Sequence, residues 1–150
     1  MLALQFHGKV FHPLSVWQHR FFRARLIAYL EDKRPLILHE AISGLRQLRA
    51  KLVLDRIIVF QHHPHYLVRE AVIRYVEGLH PKRAFPVLID ALHDEKEWVR
   101  ETAAELLTWF GNRSAIPYLE PLLNDPNEYV REEAKNAIKW LSCDEHWNCE

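Results

Sequence analysis

Two clusters have residue types suited to metal chemistry. The stretch QHHPHY at 61–66 places His62, His63 and His65 within four positions. The tail CDEHWNC at 143–149 spaces Cys143, His146 and Cys149 as C-x2-H-x2-C. Imidazole and thiolate are common zinc ligands, but they must converge on one point, and a closed site takes four. The tail offers three, and it is read more simply as a chain end carrying incidental cysteines, with a metal or a local disulfide as the alternatives. Catalytic patterns are missing. There is no G-x-x-x-x-G-K, G-x-G-x-x-G, G-x-S-x-G or H-E-x-x-H, and His39-Glu40 is followed at the decisive position by Ser43. Arg69, Arg100 and Arg131 recur at a fixed interval. They form either a ligand-binding stripe or a ladder of bidentate pairs with carboxylates such as Asp94 and Asp125. Recurrence in step with the chain's own period favours the ladder.

That interval belongs to a repeat. LVREAVIRYVEGL (67–79), WVRETAAELLTWF (98–110) and YVREEAKNAIKWL (129–141) superpose in one register, with Arg69, Arg100 and Arg131 aligned. At the same spacing, Ala84, Pro86, Leu88 and Leu92 recur as Ala115, Pro117, Leu119 and Leu123. Each unit reads as two helices. In the first, Val99, Ala103, Leu106, Leu107 and Phe110 fall on one helical stripe, and in the second Phe85, Leu88, Ile89 and Leu92 do so. Corners separate the units at 93–97 and 124–128. Asp125 followed by Pro126 predicts a helix start, with aspartate as N-cap and proline in the first helical position. His63 stands one full period before Asp94, so QHHPHY is the same corner with His63 in the N-cap slot. Three histidines around a helix start need not converge, and no metal or other cofactor is expected.

The period extends backwards more faintly, giving first-helix character to 36–48 and second-helix character to 51–61 and 17–30. Residues 1–12 are a weak candidate for a further first helix. The expectation is one domain over 1–150, with clear repeats at 62–141, degenerate ones at 1–61 and a tail at 142–150. It is an all-α, right-handed α-solenoid of about four helix pairs, whose units bury a shared core only by stacking. The last helix carries Tyr129, Val130, Ala134, Ile138 and Leu141 as an apolar stripe. It is expected to need a cover from the tail, through Trp147, or from a second molecule.

These units resemble HEAT repeats, of the short type found in phycobilisome lyases and related bacterial proteins. Asp94, Val99, Arg100 and Ala103 match the recurrent positions, as do Asp125, Val130, Arg131 and Ala134, whereas His63 departs from the pattern. The resemblance implies that the second helices line a concave side. On that side the slot at 87 reads Arg25, Arg56, Val87 and Tyr118 along the array. A second column, at the turn into each second helix, reads Arg20, Lys51, Lys82 and Arg113. A cation at a helix start opposes the macrodipole, so helix stability alone does not account for the column. Trp109 and Trp140 share one repeat position and are read as packing along the rim of neighbouring helices, with partner anchoring as the alternative.

Hydrophobic residues are 49% of the chain, charged residues 27%, and the formal net charge is zero. Residues 1–83 hold 14 Lys and Arg against 6 Asp and Glu, and residues 84–150 hold 6 against 14. One end is therefore basic and the other acidic. No apolar run approaches a membrane span. No signal peptide is read at the start, so cytoplasmic placement is expected. The expected function is non-catalytic binding of another macromolecule, most naturally a protein with an acidic surface. Contacts would run through Arg20, Arg25, Lys51, Arg56, Lys82, Arg113 and Tyr118. A bacterial regulator or toxin-immunity protein fits the size. Two alternatives stand beside it: a phycobilin lyase-like enzyme subunit, implied by the resemblance alone, and nucleic-acid binding along the basic half.

Overall fold

The structure, a computed structural model, describes residues 13–143, with side chains from residue 20 onward. Among the described residues there are eight α-helices and no strand. They are α1 (Pro13–Tyr29), α2 (Pro35–Gln47), α3 (Leu54–Ile57), α4 (Tyr66–Leu79), α5 (Pro81–Ala91), α6 (Glu97–Phe110), α7 (Ile116–Leu119) and α8 (Glu128–Ser142). The chain forms a helical solenoid. First helices α2, α4, α6 and α8 alternate with second helices α1, 51–60, α5 and 113–124. The weak candidate helix at 1–12 lies outside the described residues.

Local chemistry explains why the second helices differ. In 51–60 and 113–124 a short α segment is flanked by 3-10 turns. Residues 51–60 carry Val53, Ile57, Ile58 and Val59, whose branched Cβ atoms crowd the preceding turn. Residues 113–124 carry Pro121, which lacks the N–H that a continuing α-helix needs, in addition to Pro117, whose counterpart Pro86 is tolerated inside α5. The first helices have no proline in their interiors, and none carries three branched residues in succession as Ile57, Ile58 and Val59 do. α2 and α5 both begin on proline, where the missing N–H costs nothing.

The core lies between the two layers. Val68, Val72, Val76, Leu88, Leu92, Val99, Ala103, Leu107, Leu119, Val130 and Ala134 are essentially inaccessible. In α5 the buried face is Ala84, Val87, Leu88 and Ala91, with Leu92 just beyond. Phe85 and Ile89 are only partly buried against it. The stripe expected from the sequence is thus rotated by about one residue, and Val87, expected to face outward, is buried. Tyr75 is fully buried and its hydroxyl donates to the Ala50 carbonyl at 2.5 Å, with burial pushing the phenol up to about 12. It occupies the repeat position of Leu106 and Ala137 and ties α4 to the turn after α2.

First helices pack directly on one another, α2 on α4, α4 on α6 and α6 on α8, while no second helix packs comparably on another. The first-helix layer is the tighter one. In a curved stack the tighter layer is the inner side, which corrects the expectation that the second helices line it.

At the C-terminal end, α8 buries Val130, Ala134, Ala137 and Leu141 against the preceding unit. Tyr129, assigned to that stripe from the sequence, is 70% exposed, because it lies one residue, about 100°, off the face. Glu132, Lys135 and Lys139 form an exposed polar row on the same helix. The same helix also exposes Tyr129 and Trp140. The expected cover by Trp147 lies outside the described residues.

Candidate functional site

The arginine ladder is structural. Arg69 places Nε and Nη2 on the two Asp94 oxygens, both at 2.7 Å, and Nη1 on the His63 and Pro64 carbonyls at 2.8 and 3.1 Å. One unit on, Arg100 grips Asp125 at 2.7 and 2.8 Å and the Asp94 and Glu95 carbonyls at 2.8 and 3.2 Å. Each guanidinium joins the corner of its own unit to the aspartate of the next. The bond to Asp94 holds the Arg69 guanidinium above its usual range, and the bond to Asp125 does the same for Arg100. Burial pushes the Asp125 carboxyl up, but Arg100 and the Asn127 N–H outweigh it, and it ends below the usual aspartate value.

The aspartates are not N-caps. Asp94 and Asp125 lie two residues before Lys96 and Asn127, which hold that position. Their Oδ1 atoms accept the N–H of Lys96 and Asn127 at 2.8 and 2.9 Å. Asn127 is the true side-chain cap of α8, accepting from Tyr129 and Val130. His63 follows the aspartate geometry, its Nδ1 accepting the His65 N–H at 3.0 Å. Among the described residues no three potential metal ligands cluster. His146 and Cys149 lie outside them.

The basic residues singled out in the sequence fall into different settings. Lys51, Lys82 and Arg113 lie in the first turns of their elements and are exposed. Arg20 is exposed but sits inside α1, because that helix starts at Pro13, earlier than the repeat suggests. Arg113 donates to the Cys143 carbonyl at 2.9 Å. Arg25 hydrogen-bonds Tyr29 at 3.0 Å, 5.9 Å from the centres of both the Phe21 and Tyr29 rings. Arg56 pairs with Glu31 at 2.6 Å. Tyr118 is 45% exposed, with Phe85 edge-on to it. These residues share the second-helix layer, yet Arg25 and Arg56 are already engaged within the chain.

A different surface emerges on the first-helix layer. A cleft of about 380 Å³ opens across α4, α6 and α8. Glu70 and Arg74 come from α4, Trp98, Glu101, Thr102 and Glu105 from α6, and Glu133 from α8. Arg74 bonds Glu70 at 2.9 Å and Glu105 at 3.3 Å. Burial pushes the Glu133 carboxyl up, and the charges of Glu105 and Glu101 push it further. Beside the cleft stand Trp98, Trp109, Tyr129 and Trp140, which are 57%, 77%, 70% and 66% exposed. The rim packing expected for Trp109 and Trp140 is absent. The signal for this surface is present in the sequence. Trp98, Glu101, Thr102, Glu105 and Trp109 are spaced as one helical face, and Tyr129, Glu133 and Trp140 repeat it one unit later. Assigning the inner layer to the second helices hides it.

A sequence model of HEAT repeats matches residues 54–139, more than half of the chain. Among solved structures the chain is similar to human deoxyhypusine hydroxylase, at 25% identity and a TM-score of 0.63, over 87% of this chain and 46% of that one. It is similar to the complex of CpcE and CpcF of phycocyanin lyase from Nostoc sp., at 26% identity and a TM-score of 0.62, over 93% of this chain and 62% of that one. A designed armadillo repeat protein shares the fold at 21% identity and a TM-score of 0.51, over 77% of this chain and 63% of that one. The chain spans less than two thirds of the length of each. No curated protein sequence matches it at a significant level.

Proposed function

From membership of the HEAT-repeat family, to which this chain belongs, we propose that it is a non-catalytic scaffold binding another protein through the open face of its first-helix layer. One observation carries the reading: Trp98, Trp109, Tyr129 and Trp140 project from adjacent faces of α6 and α8 and are more than half exposed. Exposing several large aromatic rings is unfavourable in isolation, and such residues are the commonest energetic anchors of interfaces. The helices beneath them are fixed by the arginine ladder, so the surface is rigid before a partner arrives and little ordering entropy is lost on binding. Among the described residues no helix is long and apolar enough to cross a membrane, and cytoplasmic placement is part of this reading.

The test is capture of a partner by the immobilised intact protein, with identification by mass spectrometry. The Trp109→Ala/Trp140→Ala double variant serves as matched control. Both side chains are exposed, so the fold should survive, and the partner's affinity should fall at least tenfold. Equal retention by the double variant would move the interface elsewhere. One candidate is the basic column Arg20, Lys51, Lys82 and Arg113, where an acidic partner or nucleic acid would dock and release as salt rises.

A second reading, an enzyme-like subunit, has the likeness to the phycocyanin lyase complex in its favour, at 26% identity over 93% of this chain. The arginines suited to a tetrapyrrole's propionates, Arg25 and Arg56, would have to leave Tyr29 and Glu31 to serve it. Mixing with an open-chain bilin and recording the visible spectrum tests it, and an unchanged spectrum removes it.

A further inference from the structure

We infer that the cleft across α4, α6 and α8 receives a lysine or arginine side chain from an extended basic segment of the partner protein. The inference rests on the scaffold reading and names the chemistry of what the scaffold holds.

The charge balance of the cleft comes first. Four carboxylates line it against a single cation, Arg74. Arg74 is spent on Glu70 and Glu105. Glu101 and Glu133 have no ion-pair partner among the described residues, although both face the cleft. Burial and the neighbouring Glu105 and Glu101 raise the Glu133 carboxyl, so like charges crowd here at a cost that an incoming cation would relieve.

A second observation is independent of charge. Thr102 is 6% exposed and lines the cleft, yet its hydroxyl makes no hydrogen bond among the described residues. The hydroxyl of a helical threonine can turn back to the carbonyl four residues earlier, as Thr108 does to Ala104 at 3.0 Å. Thr102 lines the cleft instead, and its hydroxyl can accept from an ammonium or guanidinium. Trp98 offers a half-exposed ring at the same opening, a face on which a cation can rest.

Size and surroundings indicate a side chain on a longer segment. The volume of about 380 Å³ lies at the small end of ligand-sized pockets, roughly 300–1,000 Å³. It suits one extended side chain and not a folded domain. The exposed rings of Trp109, Tyr129 and Trp140 continue the surface beyond the opening, where neighbouring residues of an extended chain would lie.

The test uses the intact protein and the capped peptide GSKRKSG, with its uncharged counterpart GSQQQSG, followed by calorimetry and tryptophan fluorescence at low salt. The basic peptide should bind measurably more tightly than the glutamine peptide, and its affinity should fall as salt rises. Glu101→Gln/Glu133→Gln should weaken it at least tenfold with an unchanged helical spectrum. Glu128→Gln/Glu132→Gln removes the same charge from exposed positions of α8 and should change affinity less than twofold. Thr102→Val should weaken binding severalfold without loss of stability. Equal binding of the two peptides, or equal losses from the two double variants, would overturn the inference. Spermidine binding more tightly than the peptide would overturn the assignment to a protein segment. A partner captured as before by the cleft variant, with no basic peptide bound by the parent, would sink this inference while leaving the scaffold reading intact.

Discussion

At the scale of single residues, the ladder is the strongest link between sequence and structure. Its period and its aspartate partners are legible because bidentate pairing needs both members at fixed positions, and both recur. The one departure is also informative. Leu38 stands one repeat before Arg69 and is buried, while His63 stands one repeat before Asp94. Both members of that rung are missing together, so neither leaves a buried charge unpaired. Leu38→Arg alone should therefore cost about 3 kcal/mol, the scale of an uncompensated buried charge. Adding His63→Asp should recover at least about 1 kcal/mol, measured as the coupling in a double-mutant cycle by urea unfolding. Zero coupling would mean the rung depends on more than its two named residues. The Arg100–Asp125 rung gives a pH signature. The Asp125 carboxyl lies below its unfolded value, so its contribution is full above the unfolded pKa of about 3.9 and fades as pH falls through the lowered folded value. Asp125→Asn should lower stability at pH 7 by about 2–3 kcal/mol. The gap between variant and parent should then narrow as pH is taken down through 4 towards 2. A gap independent of pH would assign the loss to packing instead of charge.

At the scale of elements, existence and type are legible in the sequence, whereas helix starts and faces are not. The start of α8 is misplaced because an aspartate before a proline satisfies the N-cap pattern. The carboxylate of Asp125 has a stronger partner, Arg100 one unit back, and the helix begins only at Glu128. The buried face of α5 differs from the expected one by a single residue because Phe85 and Ile89 are more apolar than Ala84 and Ala91. Where helices pack closely, small size decides which residue goes inside. Helix ends show the same tension between type and position. Gly111 closes α6 with φ of 66°, in the left-handed region. A Cβ there would meet nothing within 4 Å, so Gly111→Ala should cost only the backbone term, about 1 kcal/mol. Arg49, two repeats earlier, holds φ of 52° after α2 with an exposed side chain. Arg49→Gly should relieve that strain and raise stability by about 0.5–1 kcal/mol. Thermal unfolding of the two single variants reads both signs. A loss from Arg49→Gly would show that its side chain has a role worth more than the strain.

At the scale of the whole molecule, the charge asymmetry is legible as a count but not as a surface. The expected binding face follows the basic half. Folding instead pairs Arg56 with Glu31 and Arg83 with Asp55 in that half, while in the other half it gathers Glu101, Glu105 and Glu133 beneath exposed rings. Which layer faces inward depends on relative helix spacing, and a repeat pattern in one dimension does not contain that quantity. The same stacking sets how the molecule should open. Each unit contacts only its neighbours, so a central helix is held from two sides and an end helix from one. α4 packs on α2, α5 and α6, and α6 packs on α4, α5 and α8, whereas α1 packs on α2. α8 rests on α6 and on the 116–124 segment, with a polar row facing outward. Opening α4 or α6 must expose core on both flanks, including the inaccessible Val72, Val76, Ala103 and Leu107. Among the described residues, fraying α1 or α8 exposes core on one flank only. Native-state hydrogen exchange should accordingly be slowest at Val72, Val76, Ala103 and Leu107. It should be at least tenfold faster, about 1.4 kcal/mol less protected, across α1 and α8. The cleft would then be floored by the most rigid helix, α6, and bounded on one side by the softer α8, so a ligand held across it should slow exchange in α8 more than in α6. Uniform protection along the chain would show that the array opens only as a whole and that the end helices are as firmly held as the centre.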